Sequence, residues 1–118
     1  MSFPVEIFFR NMDSSPLVAN GLRRHAEGLG RYHPRITACR VTVEERAGRH
    51  RKGKLFNLRI AIAIPGHEIV VERAPDKRAT HNHFRLAAHD AFDAARRQLQ
   101  DAVRRRRFKT AEEETDAV

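Results

Sequence analysis

The sequence predicts an α+β fold of order β-α-β-β-β-α, a four-stranded sheet with two helices packed on one face. Three observations predict it. Segments across the middle of the chain alternate apolar and polar residues with a period of two, two other segments repeat apolar residues at three-to-four spacing, and short turn signals separate them. At 118 residues with 41% apolar content, the chain suits one domain with a single core. The strands and both helices each show one apolar face, and stacking the helices on one side of the sheet buries all of these faces together.

Residues 3–9 are an apolar run interrupted by Glu6 and read as the first strand. Ser15 followed by Pro16 opens a helix: the hydroxyl can accept from a free amide, and proline suits the first helical position. Leu17, Val18, Leu22, His25, Ala26 and Leu29 then form an apolar stripe, Gly28 and Gly30 loosen its end, and Pro34 stops it. Residues 35–45 alternate, with Cys39, Val41 and Val43 facing one way and Arg40, Thr42 and Glu44 the other. A glycine-bracketed basic turn, 47–53, leads to residues 55–64, where Phe56, Leu58, Ile60, Ile62 and Ile64 share a face. Pro65-Gly66 is a turn signal, and residues 68–73 make the fourth strand with Ile69 and Val71 inward. Strands two to four therefore form an antiparallel meander.

After a loop at 74–80, Phe84, Ala88, Ala91, Phe92, Ala95, Leu99 and Val103 mark a long second helix whose alanines let it lie close on the sheet. The opposite sheet face, with Arg40, Thr42, Asn57, Arg59 and Ala61, is left open to solvent or a partner. The folded domain is assigned to residues 1–108, and 109–118 to an acidic disordered tail.

Charge narrows the function. The net charge is +8, yet the last ten residues set Lys109 against Glu112, Glu113, Glu114 and Asp116, a net of −3 that leaves +11 on residues 1–108. A body this basic attracts polyanions and holds them by counterion release. Most of the charge is arginine, whose planar fork grips phosphate in two places and stacks on bases, which favours nucleic acid over membrane. No apolar run approaches the roughly 20 residues needed to span a bilayer. The opening MSFPVEIFFRN lacks a signal-peptide pattern, and one cysteine, Cys39, allows no internal disulfide, so a cytoplasmic protein is expected.

The main constellation is Arg23, Arg24, Arg31 and Arg35 around the first helix, with Arg96, Arg97, Arg104, Arg105, Arg106 and Arg107 on the second. Arginines seven apart, such as Arg97 and Arg104, share a helix face, so two parallel helices can line one positive groove whose members each neutralise a phosphate. The competing reading is a solvated surface paired with Glu27, Asp90, Asp93 and Asp101. Arg49, Arg51 and Lys52 in the basic turn add a loop that can settle on irregular RNA. His81, His83 and His89 invite a metal, but their spacing suits no helix face and no cysteine lies near, so neither metal nor other cofactor is expected. No Ser-His-Asp or Cys-His set and no phosphate-cradling glycine loop is recognisable, so an enzyme is not expected. Aromatics are few, and Tyr32 alone has a polar handle, so stacking on single-stranded bases is not expected as the main mode.

The element order, the basic balance and the segment Asp93-Ala94-Ala95-Arg96-Arg97-Gln98-Leu99 with its Arg104–Arg107 end resemble the ribosome hibernation promoting factor family, also called ribosome-associated inhibitor or sigma modulation proteins. The entry into the first helix and the passage Arg31-Tyr32-His33-Pro34-Arg35-Ile36 are similar to it as well, and the resemblance covers residues 3–108. It differs at His83-Phe84-Arg85, where members usually open the second helix with an acidic residue and an aromatic. The resemblance implies a fold similar to the double-stranded RNA-binding domain and a non-catalytic module in the small-subunit groove for mRNA and tRNA, blocking translation in idle ribosomes. Its implied partners are ribosomal RNA and the small ribosomal subunit, with no membrane, and the chain is expected to be a monomer or weak homodimer. A general RNA- or DNA-binding regulatory protein using the same basic fold is the alternative.

Overall fold

In the computed structural model, residues 3–47, 54–73 and 81–116 are described, with side chains described over 3–45, 56–73 and 85–105. The predicted order appears as β1 (Val5–Arg10), α1 (Pro16–Leu29), β2 (Ala38–Ala47), β3 (Lys54–Ile64), β4 (His67–Arg73) and α2 (His81–Asp116). The four strands form one sheet in the order β1-β2-β3-β4. β2, β3 and β4 pair antiparallel, from Ala38 opposite Ala63 to Ile64 opposite His67. β1 lies parallel to β2, with Val5 opposite Cys39 and Arg10 opposite Glu44. Parallel neighbours cannot be joined by a tight hairpin, and α1 supplies the crossover.

Local chemistry sets the boundaries. The Ser15 side chain accepts from the Val18 amide at 3.4 Å, Pro16 follows, and Ala19 N–H donates to the Ser15 carbonyl at 2.8 Å, closing the first turn of α1. Asn11 turns the chain out of β1 at φ 60°, and Gly66 turns it between β3 and β4 at φ 76°; both are residue types that tolerate this left-handed region. Gly30 caps α1 with ordinary helical φ, so its constraint is space: an added Cβ would lie 2.9 Å from the Phe3 ring.

One sheet face carries the core. Cys39, Val41, Val43, Leu58, Ile60, Ile62, Ile69 and Val71 are buried on it, beneath Leu22, Ala26 and Leu29 of α1 and Ala88, Ala91, Phe92, Ala95 and Leu99 of α2. Both helices thus cover the same side, as the single apolar face of each strand requires. Ala91 and Ala95 are fully buried, and their size lets the α2 backbone come close to β3 and β4. Leu99, also fully buried, contributes about 1.5–3 kcal/mol by leaving water.

One expectation is corrected. Leu17 is 85% exposed instead of joining the α1 stripe. It lies five residues before Leu22, which at 100° per residue puts it nearly opposite the buried line of Leu22, Ala26 and Leu29. The backbone of α2 continues through residues 109–116. No glycine or proline follows Pro75, and Ala, Glu, Lys and Arg all favour helix, so nothing local stops α2. At 36 residues α2 sets the long axis of a body measuring 65 × 28 × 20 Å.

Candidate nucleic-acid interface

The two helices are locked side by side by ring contacts. His25 stacks on Phe92 with centroids 5.2 Å apart and planes 15° apart, and meets His89 edge-on at 6.4 Å. Seven residues further along, Tyr32 lies under the Arg96 guanidinium, 5.7 Å from the ring centroid. Moving from 25 to 32 on one side corresponds to moving from 92 to 96 on the other, so α1 and α2 run in the same sense. Burial, and next the neighbouring His89, keeps His25 easier to deprotonate than usual.

The arginines expected at the site fall into three groups. Arg24, Arg31, Arg35, Arg97, Arg104 and Arg105 are exposed. Arg24 lies about 200° around α1 from buried Leu22 and so points away from the sheet, and Arg97 and Arg104 share an outward face of α2. Arg31 and Arg35 sit on the turn that leaves α1, beside Tyr32. Arg23, also exposed, and half-buried Arg96 are instead tied to other groups of the protein. Arg23 donates through Nη1 to the Val5 carbonyl at 2.8 Å, tying α1 to β1. Arg96 donates to Asp93 at 2.9 Å while covering Tyr32. Arg49, Arg51, Lys52 and the side chains of Arg106 and Arg107 lie outside the described residues, as do those of His81 and His83.

Asp93 organises this surface. One carboxylate oxygen takes the Arg96 hydrogen bond and the other lies 3.7 Å from Arg97, so one acid orients two consecutive cations a turn further along α2. That hydrogen bond, with the charges of Arg96, Arg97 and His89 behind it, holds the carboxyl below its ordinary range against some desolvation. Arg96 is correspondingly held more firmly protonated.

The far side of the sheet has a different character. It carries Glu6, Glu44, Glu68 and Glu72 against Arg10, Arg40 and Arg59, so the two signs nearly cancel. Arg40 pairs with Glu6 at 3.5 Å and lies over Phe8, and Arg59 pairs with Glu72 at 3.6 Å. The positive excess of the described residues therefore sits on the helix layer and on the turn after α1.

The remaining reactive groups lie within the fold. Cys39 is buried, and burial pushes its thiol up to about 11, so it is a packed apolar residue. His33 is 7% exposed, burial favours its neutral form, and its Nε2 has no hydrogen-bond partner among the described residues. Among the described residues no three His, Cys, Asp or Glu side chains gather as a metal site, and no helix is long and apolar enough to cross a membrane.

Sequence reasoning gave little weight to Tyr32 and missed the pinning roles of Arg23, His25 and Asp93. The available signal was the only tyrosine of the chain set between Arg31 and His33; the direction of Arg23 had none.

A family model described as sigma 54 modulation protein / S30EA ribosomal protein matches residues 5–107. A search of curated proteins gives no match. Among solved structures, a ribosomal subunit interface protein from Coxiella burnetii superimposes with a TM-score of 0.62 at 12% identity, covering 85% of this chain and 97% of that one. The N-terminal domain of Protein Y from Thermus thermophilus also gives a TM-score of 0.62, at 18% identity, covering 81% of this chain and 93% of that one. At these identities the two structures establish the shared fold.

Proposed function

Because the chain belongs to the sigma 54 modulation protein / S30EA ribosomal protein family, we propose that it is a ribosome-associated RNA-binding protein. In this reading it occupies the mRNA and tRNA groove of the small subunit and halts translation while ribosomes are idle. It acts by occupancy: guanidinium groups hold ribosomal phosphates through charge-assisted bonds, and the rigid body excludes tRNA and mRNA by volume. Phosphate and helical shape are read here, not base sequence. The proposed contacts are Arg24, Arg31, Arg35, Arg97, Arg104 and Arg105, continued by Arg106 and Arg107 and by Arg49, Arg51 and Lys52 of the basic turn. Arg23 and Arg96 serve indirectly, by fixing the surface. A cytoplasmic location follows from this partner.

One observation carries the reading. The net positive charge of the described residues lies on the layer built by two parallel helices and on the turn after α1, while the opposite sheet face sets Arg10, Arg40 and Arg59 against four glutamates and is nearly balanced. A general solvated coat would mix the signs on both sides.

Sedimentation tests it. The protein should migrate with purified small subunits at moderate salt, and excess tRNA with mRNA should displace it. Failure to co-migrate, together with equal affinity for any RNA or DNA duplex, would make it a general nucleic-acid-binding protein. Simultaneous binding with tRNA and mRNA would remove groove occupancy while leaving ribosome association standing.

A further inference from the structure

We propose that Tyr32 is a stacking platform for one unpaired nucleobase of the bound RNA, a site that deepens the RNA-binding reading above and rests on it. The residue is 59% exposed, although the residues around it are anchored. Leu29, His33 and Ile36 are buried on either side of it. The amides of Tyr32 and His33 both donate to the Leu29 carbonyl, at 3.1 and 3.0 Å, and the Ile36 amide donates to the His33 carbonyl at 3.3 Å. The turn is thus fixed, its inward positions are filled by its neighbours, and the ring is held outward.

One side of the ring is already occupied. The Arg96 guanidinium lies 5.7 Å from its centroid, and Asp93 holds that guanidinium by a 2.9 Å bond. The ring is therefore backed by a fixed planar cation, and the exposed remainder is open to a second flat partner. A nucleobase is the flat partner that comes attached to phosphate, and exposed Arg31 and Arg35 lie one and three residues from Tyr32 along the same turn. Base stacking on an aromatic side chain tolerates any base, because every base has a π-face, so the slot adds affinity without adding a sequence code. It also favours loops and bulges over continuous duplex, where the bases are already stacked on each other. The aromatics are few, as composition indicates, and the structure sets this one on the cationic layer.

The chain supplies its own reporter. It has one tyrosine and no tryptophan, so tyrosine emission comes from Tyr32 alone. The full chain is titrated at low salt with a labelled oligoadenylate and, separately, with a blunt RNA duplex, binding being followed by anisotropy of the label. The expected result is quenching of Tyr32 by the single strand and little quenching by the duplex at equal occupancy. Tyr32→Leu should weaken single-strand binding by about fivefold to a hundredfold with the salt dependence unchanged, and Tyr32→Phe should bind as the parent does. Equal quenching by both RNAs, no quenching by either when anisotropy shows binding, or full affinity in Tyr32→Leu would each overturn the stacking site. Those outcomes leave co-sedimentation of the parent protein with small subunits untouched. Loss of that co-sedimentation with quenching intact would fault the ribosomal reading alone.

Discussion

The division of the arginines into outward and committed groups makes a quantitative prediction. The perturbation is to replace Arg24, Arg31, Arg97 and Arg104 together by alanine; all four are exposed, three of them on outward helix faces and the fourth on the turn after α1. If each holds one phosphate, the slope of log affinity against log salt should flatten by about 0.7 to 0.9 per residue, or about 2.8 to 3.6 in all. Between 50 and 200 mM salt, a fourfold change, the parent protein should then lose roughly 50- to 150-fold more affinity than the variant. Arg23→Ala is the control, because that guanidinium donates to the Val5 carbonyl. It should leave the slope unchanged and cost about 1.5 kcal/mol, the low end for a charge-assisted bond, because much of the side chain is in water. For a domain of this size that is a drop of roughly 5 °C in Tm. Fluorescence anisotropy across a salt series and a thermal melt read both quantities. A quadruple variant that binds more weakly with an unchanged slope would refute phosphate contact as the mechanism. An Arg23→Ala protein that melts normally but has a flattened slope would refute the division itself.

Three further outcomes follow from the fold. Gly28→Ala, where an added Cβ meets nothing within 4 Å, should stabilise α1 by about 0.5–1 kcal/mol, whereas Gly30→Ala, 2.9 Å from the Phe3 ring, should lower Tm; equal shifts in urea or thermal melts would contradict the Phe3 contact. Burial depresses the pKa of both His33 and His25 from 6.5, so the stability that their neutral forms contribute is complete above that value and is lost as pH falls from it towards their folded values. Urea midpoints from pH 8 to 5 should show this decline, His33→Phe should reduce it, and a flat profile would count against it; Asp93 acts in a separate window below its ordinary 3.8, as the pH falls towards its lowered value. With its thiol raised to about 11 inside the sheet, Cys39 should resist alkylation at pH 8 in the native protein and react fully in denaturant, and rapid native labelling would show that this part of the core opens readily.

The elements most legible in the sequence were those whose burial is one-sided and periodic. Cys39, Val41 and Val43, then Leu58, Ile60 and Ile62, alternate so regularly that the strands and their inward face follow directly. The α2 stripe was equally clear, because Ala88, Ala91, Phe92, Ala95 and Leu99 repeat at helical spacing under a long contact. Leu17 was misread since a short stripe leaves its first member's angle open. The site was legible only as composition. That the arginines cluster on α1 and α2 can be read from the chain, but a long flexible side chain carries no sign of where its head group goes. Arg23 turning in to Val5, and Arg96 settling between Asp93 and Tyr32, are tertiary facts.

The parallel pairing of β1 with β2 bears on the order of events during synthesis. Every pair between them joins residues 34 apart in sequence, Val5 with Cys39 through to Arg10 with Glu44, whereas the hairpins close across far shorter spans, Ala47 with Lys54 and Ile64 with His67. Closing the longer loop costs roughly 1.4 kcal/mol more than closing the seven-residue span, by the logarithmic dependence on length. The first strand to be made thus waits unpaired until the chain has passed residue 44, and the meander can assemble without it. Its docking is then a late step of assembly, in which the outer edge of β2 is covered and the Arg23 tether can form.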